Sequence, residues 1–257
     1  MQAQTAVKTL SPLVAAAALA VLTRGPAYAS SGTWSYDGND NWSSSARWTP
    51  AVVPGTAAGD VVSLTNNITA NRTVTVNTTS RTAGALVFGD VSSPYYNFTL
   101  AASGGASLTL DNSGVGASVI QTNTASTADA LSVPLVLADN LSVTNRGSLT
   151  IAGAISGAGK SLTKNGAGYL TLSGTNTYSG GTVVNGGVLS LLKTNSLPSS
   201  GAVSVANGCA FGIGVGGAGA FGSSDVDALY ANALPNVTLG TSAIAGVDTT
   251  PGSFTYS

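Results

Sequence analysis

Between Lys160 and Leu191 the chain reads KSLTKNGAGYLTLSGTNTYSGGTVVNGGVLSL, in which short runs of alternating apolar and hydroxylated residues are cut at close intervals by Asn and Gly. Leu162, Leu170, Leu172, Val184, Leu189 and Leu191 stand in two-residue alternation with Thr or Ser. That pattern turns one side of each run towards a core and the other towards water. Asn165-Gly166, Ser173-Gly174, Gly180-Gly181 and Asn185-Gly186-Gly187 separate the runs, and Asn and Gly tolerate the positive φ of tight turns. The arrangement predicts one winding of a parallel β-solenoid, each short strand stacking on its counterpart in the next coil around an internal apolar column.

The string from Lys164 to Leu191, KNGAGYLTLSGTNTYSGGTVVNGGVLSL, resembles the autotransporter-associated β-strand repeat, found in passenger regions of bacterial autotransporters and related exported proteins. A looser echo lies upstream, in Leu149-Thr150-Ile151 and Gly153-Ala154-Ile155-Ser156-Gly157. The resemblance implies an all-β fold, a right-handed parallel β-helix, and passage to the cell surface. It brings neither catalytic residues nor a cofactor to transfer.

Composition narrows the function classes. Only 7% of the 257 residues are charged: nine Lys and Arg face ten Asp, and there is no Glu and no His. This leaves no basic surface of the kind that binds nucleic acid, no imidazole for a zinc site and no Ser-His-Asp catalysis. The single cysteine, Cys209, sits among Gly208, Ala210 and Phe211, where a small buried apolar side chain is the expected role.

Residues 1–29 read as a signal peptide. Lys8 is followed by the apolar run Leu13 to Leu22, and Ala27-Tyr28-Ala29 forms a small-x-small site, so cleavage is expected between Ala29 and Ser30. The apolar run falls short of the roughly 20 residues that span a bilayer core. A secreted or cell-surface location follows.

Residues 30–60 hold all three tryptophans, Trp34, Trp42 and Trp48. They could cap the open end of the solenoid, or their ring faces could bind a glycan by stacking. Asp37, Asn39, Asp40 and Asn41 could offer oxygens to calcium, although the spacing is not that of an EF-hand loop.

Residues 61–257 are expected to form the β-helix, continuing beyond the end of this chain. Strand signals start at Val61, Thr73, Ala85, Asn97 and Ser107, a spacing that also suits an antiparallel sandwich or barrel. Irregular connections and the later repeat favour the solenoid. Thr122 to Ala130 reads as a loop, and Pro134 suits the start of a strand. Gly212 to Gly222 reads as a glycine-rich connection that lacks the Lys-Ser/Thr of a phosphate loop. Ser224 to Leu234 predicts the one short helix, capped by Ser224, stopped by Pro235, and striped by Val226, Leu229, Tyr230, Ala233 and Leu234.

Function is therefore expected to be structural or adhesin-like, with an extracellular glycan or surface receptor as partner and any membrane β-barrel outside this chain. Two alternatives stand beside it. One is a glycan-binding module centred on the tryptophans. The other is a polysaccharide-cleaving enzyme using an Asp pair such as Asp37 with Asp40; Asp225 and Asp227 suit the positive end of a helix instead. Lys160 and Lys164 read as solvated turn lysines that could also meet an acidic glycan.

Overall fold

The computed structural model describes residues 30–122, 128–198 and 200–257. The signal peptide expected over residues 1–29 lies outside them, as does most of the segment expected to form a loop after Thr122.

Alternation of Val, Leu and Ile with Thr and Ser makes strands of two to six residues, and strands that short are not stable outside a sheet. The chain meets this by winding. Leu141, Leu162, Thr182 and Val203 occupy equivalent places in successive strands, so the coils between them take 20 or 21 residues each. The described strands fall into three sheets of ten, nine and four, running along the stack of coils. Parallel neighbours need a long return path; here the other sides of the coil supply it. Among the described residues the result is a parallel β-helix, all-β apart from one short α-helix, and no described helix is long and apolar enough to cross a membrane.

Register makes the core. In the first sheet Val62, Leu86, Ile120, Val143, Lys164, Val184 and Val205 align coil on coil. In the second, Val74, Leu100, Leu131, Ile151, Leu172, Leu191 and Ile213 do the same. Leu108, Leu135 and Ile155 form the shorter row of the third. All of these side chains are buried, one lysine among them. Among the described residues the antiparallel alternative survives only at the edge of the first sheet, where Gly32–Trp34 pairs with Trp48–Thr49. On its other side Gly32–Trp34 runs parallel to Val61–Leu64, so the tryptophan-rich segment is wound into the same sheet.

Three local expectations change. Asp129 and Ala130, read as loop, begin the strand Asp129–Leu131, where the Asp129 carboxylate accepts the Phe98 N–H at 2.8 Å. Gly212 to Gly214, read as connection, complete the strand Ala210–Gly214, because their pairing with Gly246 to Asp248 fixes them in the second sheet. The helix spans Ser223–Tyr230 instead of Ser224 to Leu234. Asp225 sets its start by accepting the Gly222 N–H at 2.9 Å, and Asn232, with φ 53°, turns the chain beyond its end. Val226 and Leu229 are buried against the coils, whereas Tyr230 faces solvent.

Replacing Ile151 by Ala should cost roughly 2–5 kcal/mol, while Thr150→Ala, on the outward side of the same strand, should change stability by about 0.5 kcal/mol or less. Urea melts of the two variants check this; equal losses would mean that the strand is wound in the other register.

Candidate functional site

The coil first read from sequence is held by polar groups turned inwards. Lys164 stands in the core row between Val143 and Val184 and is fully buried. It is therefore not a solvated turn lysine: the strand Leu162–Asn165 carries it inside before the Gly166 turn begins. Its Nζ donates to the carbonyl of Gly166 at 3.2 Å and to that of Gly186, one coil on, at 2.8 Å. Burial pushes its pKa down to about 8, an effect the nearby Cys209 opposes. Lys160 sits in the turn expected for it, its N–H donating to the Gly157 carbonyl at 3.2 Å.

Asn176 joins three coils. Its Oδ1 accepts the Ile155 N–H from the coil before at 3.1 Å, and its Nδ2 donates to the Ser196 carbonyl of the coil after at 2.8 Å. Tyr178 is buried with its hydroxyl 2.6 Å from the Thr182 hydroxyl, and burial pushes its pKa up to about 12. At Gly168 any Cβ would lie 2.1 Å from the Gly147 carbonyl oxygen, so the close stacking of these corners requires glycine.

The outer face of the second sheet bears a groove. Tyr169, Val188, Ala210 and Ile244 form one row across four strands, and Thr171, Ser190, Gly212 and Gly246 form the next outward row. Because Gly212 and Gly246 carry no side chain, a groove of about 390 Å³ opens there, with Tyr169, Ile244, Asp248 and Thr249 among its walls. Tyr169 and Ile244 are 58% and 62% exposed. The Asp248 carboxylate accepts the Ser190 hydroxyl at 3.1 Å and the Thr250 hydroxyl at 2.6 Å. Against the desolvation imposed by burial, its bonds to Thr250 and Ser190 hold its carboxyl below the usual value. An aromatic face, apolar walls, hydroxyls and one carboxylate suit an amphipathic ligand. A single carboxylate lines the groove, whereas glycoside hydrolysis needs a pair.

Residues 162–191 match the passenger-associated-transport-repeat. Neither a curated protein nor a solved structure matches the chain. The transport repeat covers the coil just described, and Lys164, Asn176 and Tyr178 all face into it. What those inward residues specify is how coils stack, whereas the repeat's Tyr169, Thr171, Val188 and Ser190 supply one side of the groove.

The residues singled out upstream of the transport repeat lie elsewhere. Trp34, Trp42 and Trp48 are withdrawn from solvent and packed on one another, with ring centroids 5.0 Å apart for Trp34 and Trp48 and 5.2 Å for Trp42 and Trp48. Trp42 Nε1 donates to the Pro54 carbonyl at 2.7 Å and Trp48 Nε1 to the Trp42 carbonyl at 2.8 Å. No ring face is left for a sugar to stack on, because the indoles fill the end of the apolar column.

Asp37 accepts Arg72 Nε at 2.7 Å and the Thr69 hydroxyl at 2.7 Å; these bonds, Arg72 foremost, hold its carboxyl down to about 2. A group so readily ionised is a poor general acid near neutral pH. Asp40 accepts Arg47 Nε at 2.7 Å, and that bond, with the Asn41 N–H, lowers its pKa as well. Asn39 Oδ1 accepts the Thr73 N–H at 2.8 Å. These oxygens serve separate internal partners, and no group of three His, Cys, Asp or Glu side chains placed to hold a metal occurs among the described residues.

The groove went unread because the strands that line it bring together residues 19 or more apart in sequence. One signal was present: large apolar residues occupy the outward positions of strands that otherwise place Thr or Ser there.

Lys164 yields a pH test. Its folded pKa lies below the unfolded value of about 10.4, so between about pH 8 and pH 10.5 the unfolded chain binds more protons and stability rises with pH. Below pH 8 the cost of burying the charge is constant. Denaturant melts across pH 7 to 11 should show this rise in the natural chain relative to Lys164→Met, which removes it.

Proposed function

We propose that the chain is an exported passenger protein, displayed at or released from the bacterial cell surface, with the β-helix as a rigid scaffold for adhesive contact. The observation that carries this reading is the unbroken inward column of the coils, in which the transport repeat forms one winding. Each coil pairs with its neighbours, so a chain emerging from a membrane can fold coil by coil without waiting for distant segments. Cys209, the single cysteine, is buried and free, so no disulfide links one coil to another. The leader expected over residues 1–29 supports export. Expressing the precursor in bacteria and treating intact cells with protease tests the reading: loss of the β-helix from cells, or its appearance in the medium, is the expected result, and retention inside untouched cells would overturn it.

The contact surface we assign is the groove, and its partner an extracellular glycan. A sugar offers an apolar ring face to Tyr169 and hydroxyls to Ser190, Asp248 and Thr249, and the glycines leave the floor open to it. On a glycan array, Tyr169→Ala should weaken binding at least about tenfold and leave the circular dichroism spectrum unchanged. Binding that persists in Tyr169→Ala and Asp248→Asn alike would remove the groove from consideration.

A further inference from the structure

The first coil contains a buried carboxylate with one oxygen unanswered. Asp60 is fully buried, and Ser30, the residue after the expected cleavage site, is 8% exposed beside it. Oδ2 of Asp60 accepts the Ser30 hydroxyl, the Thr56 N–H at 3.0 Å and the Ala57 N–H at 3.1 Å. Oδ1 is buried too and has no hydrogen-bond partner among the described residues. The two ion pairs among those residues engage Asp40 and Asp37, so neither serves Asp60. An unpaired buried carboxylate is strongly disfavoured, and the geometry calls for a cation at this spot.

Ser30 can provide it. In any serine the α-nitrogen lies roughly 3–4 Å from its own Oγ, and here that Oγ touches the Asp60 carboxylate. Hydrolysis of the Ala29–Ser30 amide consumes one water, leaves a carboxylate on Ala29 and frees an amine on Ser30. That amine takes up a proton, since α-amino groups titrate at about 7.7–8.0. We propose that cleavage at this bond creates a lock: the new α-ammonium of Ser30 pairs with the buried Asp60 and gives Oδ1 the donor it lacks. The proposal rests on the export reading, and on the cleavage position in particular.

The lock acts where the first coil joins the second. Ser31 Oγ accepts the Val61 N–H at 2.8 Å, and Gly32–Trp34 then pairs with Val61–Leu64. Before cleavage the same nitrogen is a neutral amide with one hydrogen, and Oδ1 of Asp60 remains without a donor. The leader therefore holds the end coil in a weakened state while the chain is exported, and its removal fastens that coil.

Three forms test this: the whole 257-residue chain with its leader, the product beginning at Ser30, and a form beginning at Ala29. The Ser30 form should melt roughly 4 °C or more above the Ala29 form, and in Asp60→Asn versions of the same pair the gap should close. Equal melting of the Ser30 and Ala29 forms overturns the lock, and a gap that persists in Asp60→Asn overturns the assignment to Asp60. Should Asp60→Asn fail to fold, the rate at which an amine-reactive ester labels the α-amine at neutral pH decides. At least about tenfold protection of the Ser30 amine relative to the Ala29 amine supports the lock, and equal rates overturn it. Amino-terminal sequencing of the exported protein is read separately. Ser30 as first residue supports the processing step, and any other first residue overturns that step whatever the melting comparison shows.

Discussion

Parallel pairing between one coil and the next is the constraint on which everything else rests. Each strand has few residues, and its backbone N–H and C=O groups are satisfied only by the coils before and after it. A coil that kept its length but slipped by one residue would turn every inward leucine outward. Leu141, Leu162, Thr182 and Val203 show that this does not happen, because the corners absorb the one-residue differences between coils. Glycines make that possible where the corners stack too closely for a side chain, as at Gly168 over Gly147.

Corners have a second need. Carbonyls that turn out of the sheets must find donors, and in the transport repeat they find them inside the column. Lys164 answers Gly166 and Gly186, and Asn176 reaches one coil up and one coil down. A buried lysine is a weak source of stability. Its value lies in specificity: only one stacking brings Nζ to both carbonyls. This explains why a short match can mark an architecture without marking an activity.

Strands were legible in the sequence because period-2 alternation is a local property, and Leu162, Leu170, Leu172 and Leu189 all face inward as the pattern demands. Lys164 was misread because Asn165-Gly166 follows it and suggested a turn, although the inward beat set by Leu162 already placed residue 164 inside. The tryptophans were ambiguous for a different reason. A large ring serves a core or a sugar equally well, and only the closing of the column by Trp34, Trp42 and Trp48 decides between them. The groove was invisible because Tyr169, Ser190, Gly212 and Asp248 become neighbours only through the register of coils, including one of irregular length. Asp60 offered no local pattern at all; its partner Ser30 lies ahead of the first strand, 30 residues away, and Thr56 lies just before it in the chain.

The longest coil steps bear on how such a rod diversifies. From Val203 to Val237 the chain takes 34 residues, the helix Ser223–Tyr230 among them, yet the two valines pair in the parallel register of the sheet. The pitch of the rod is thus indifferent to what hangs from that corner. Extra chain is stored sideways, not along the axis, so a peptide or a folded module grafted there would change the girth of the particle and leave its length, and the spacing of every other site along it, as they were.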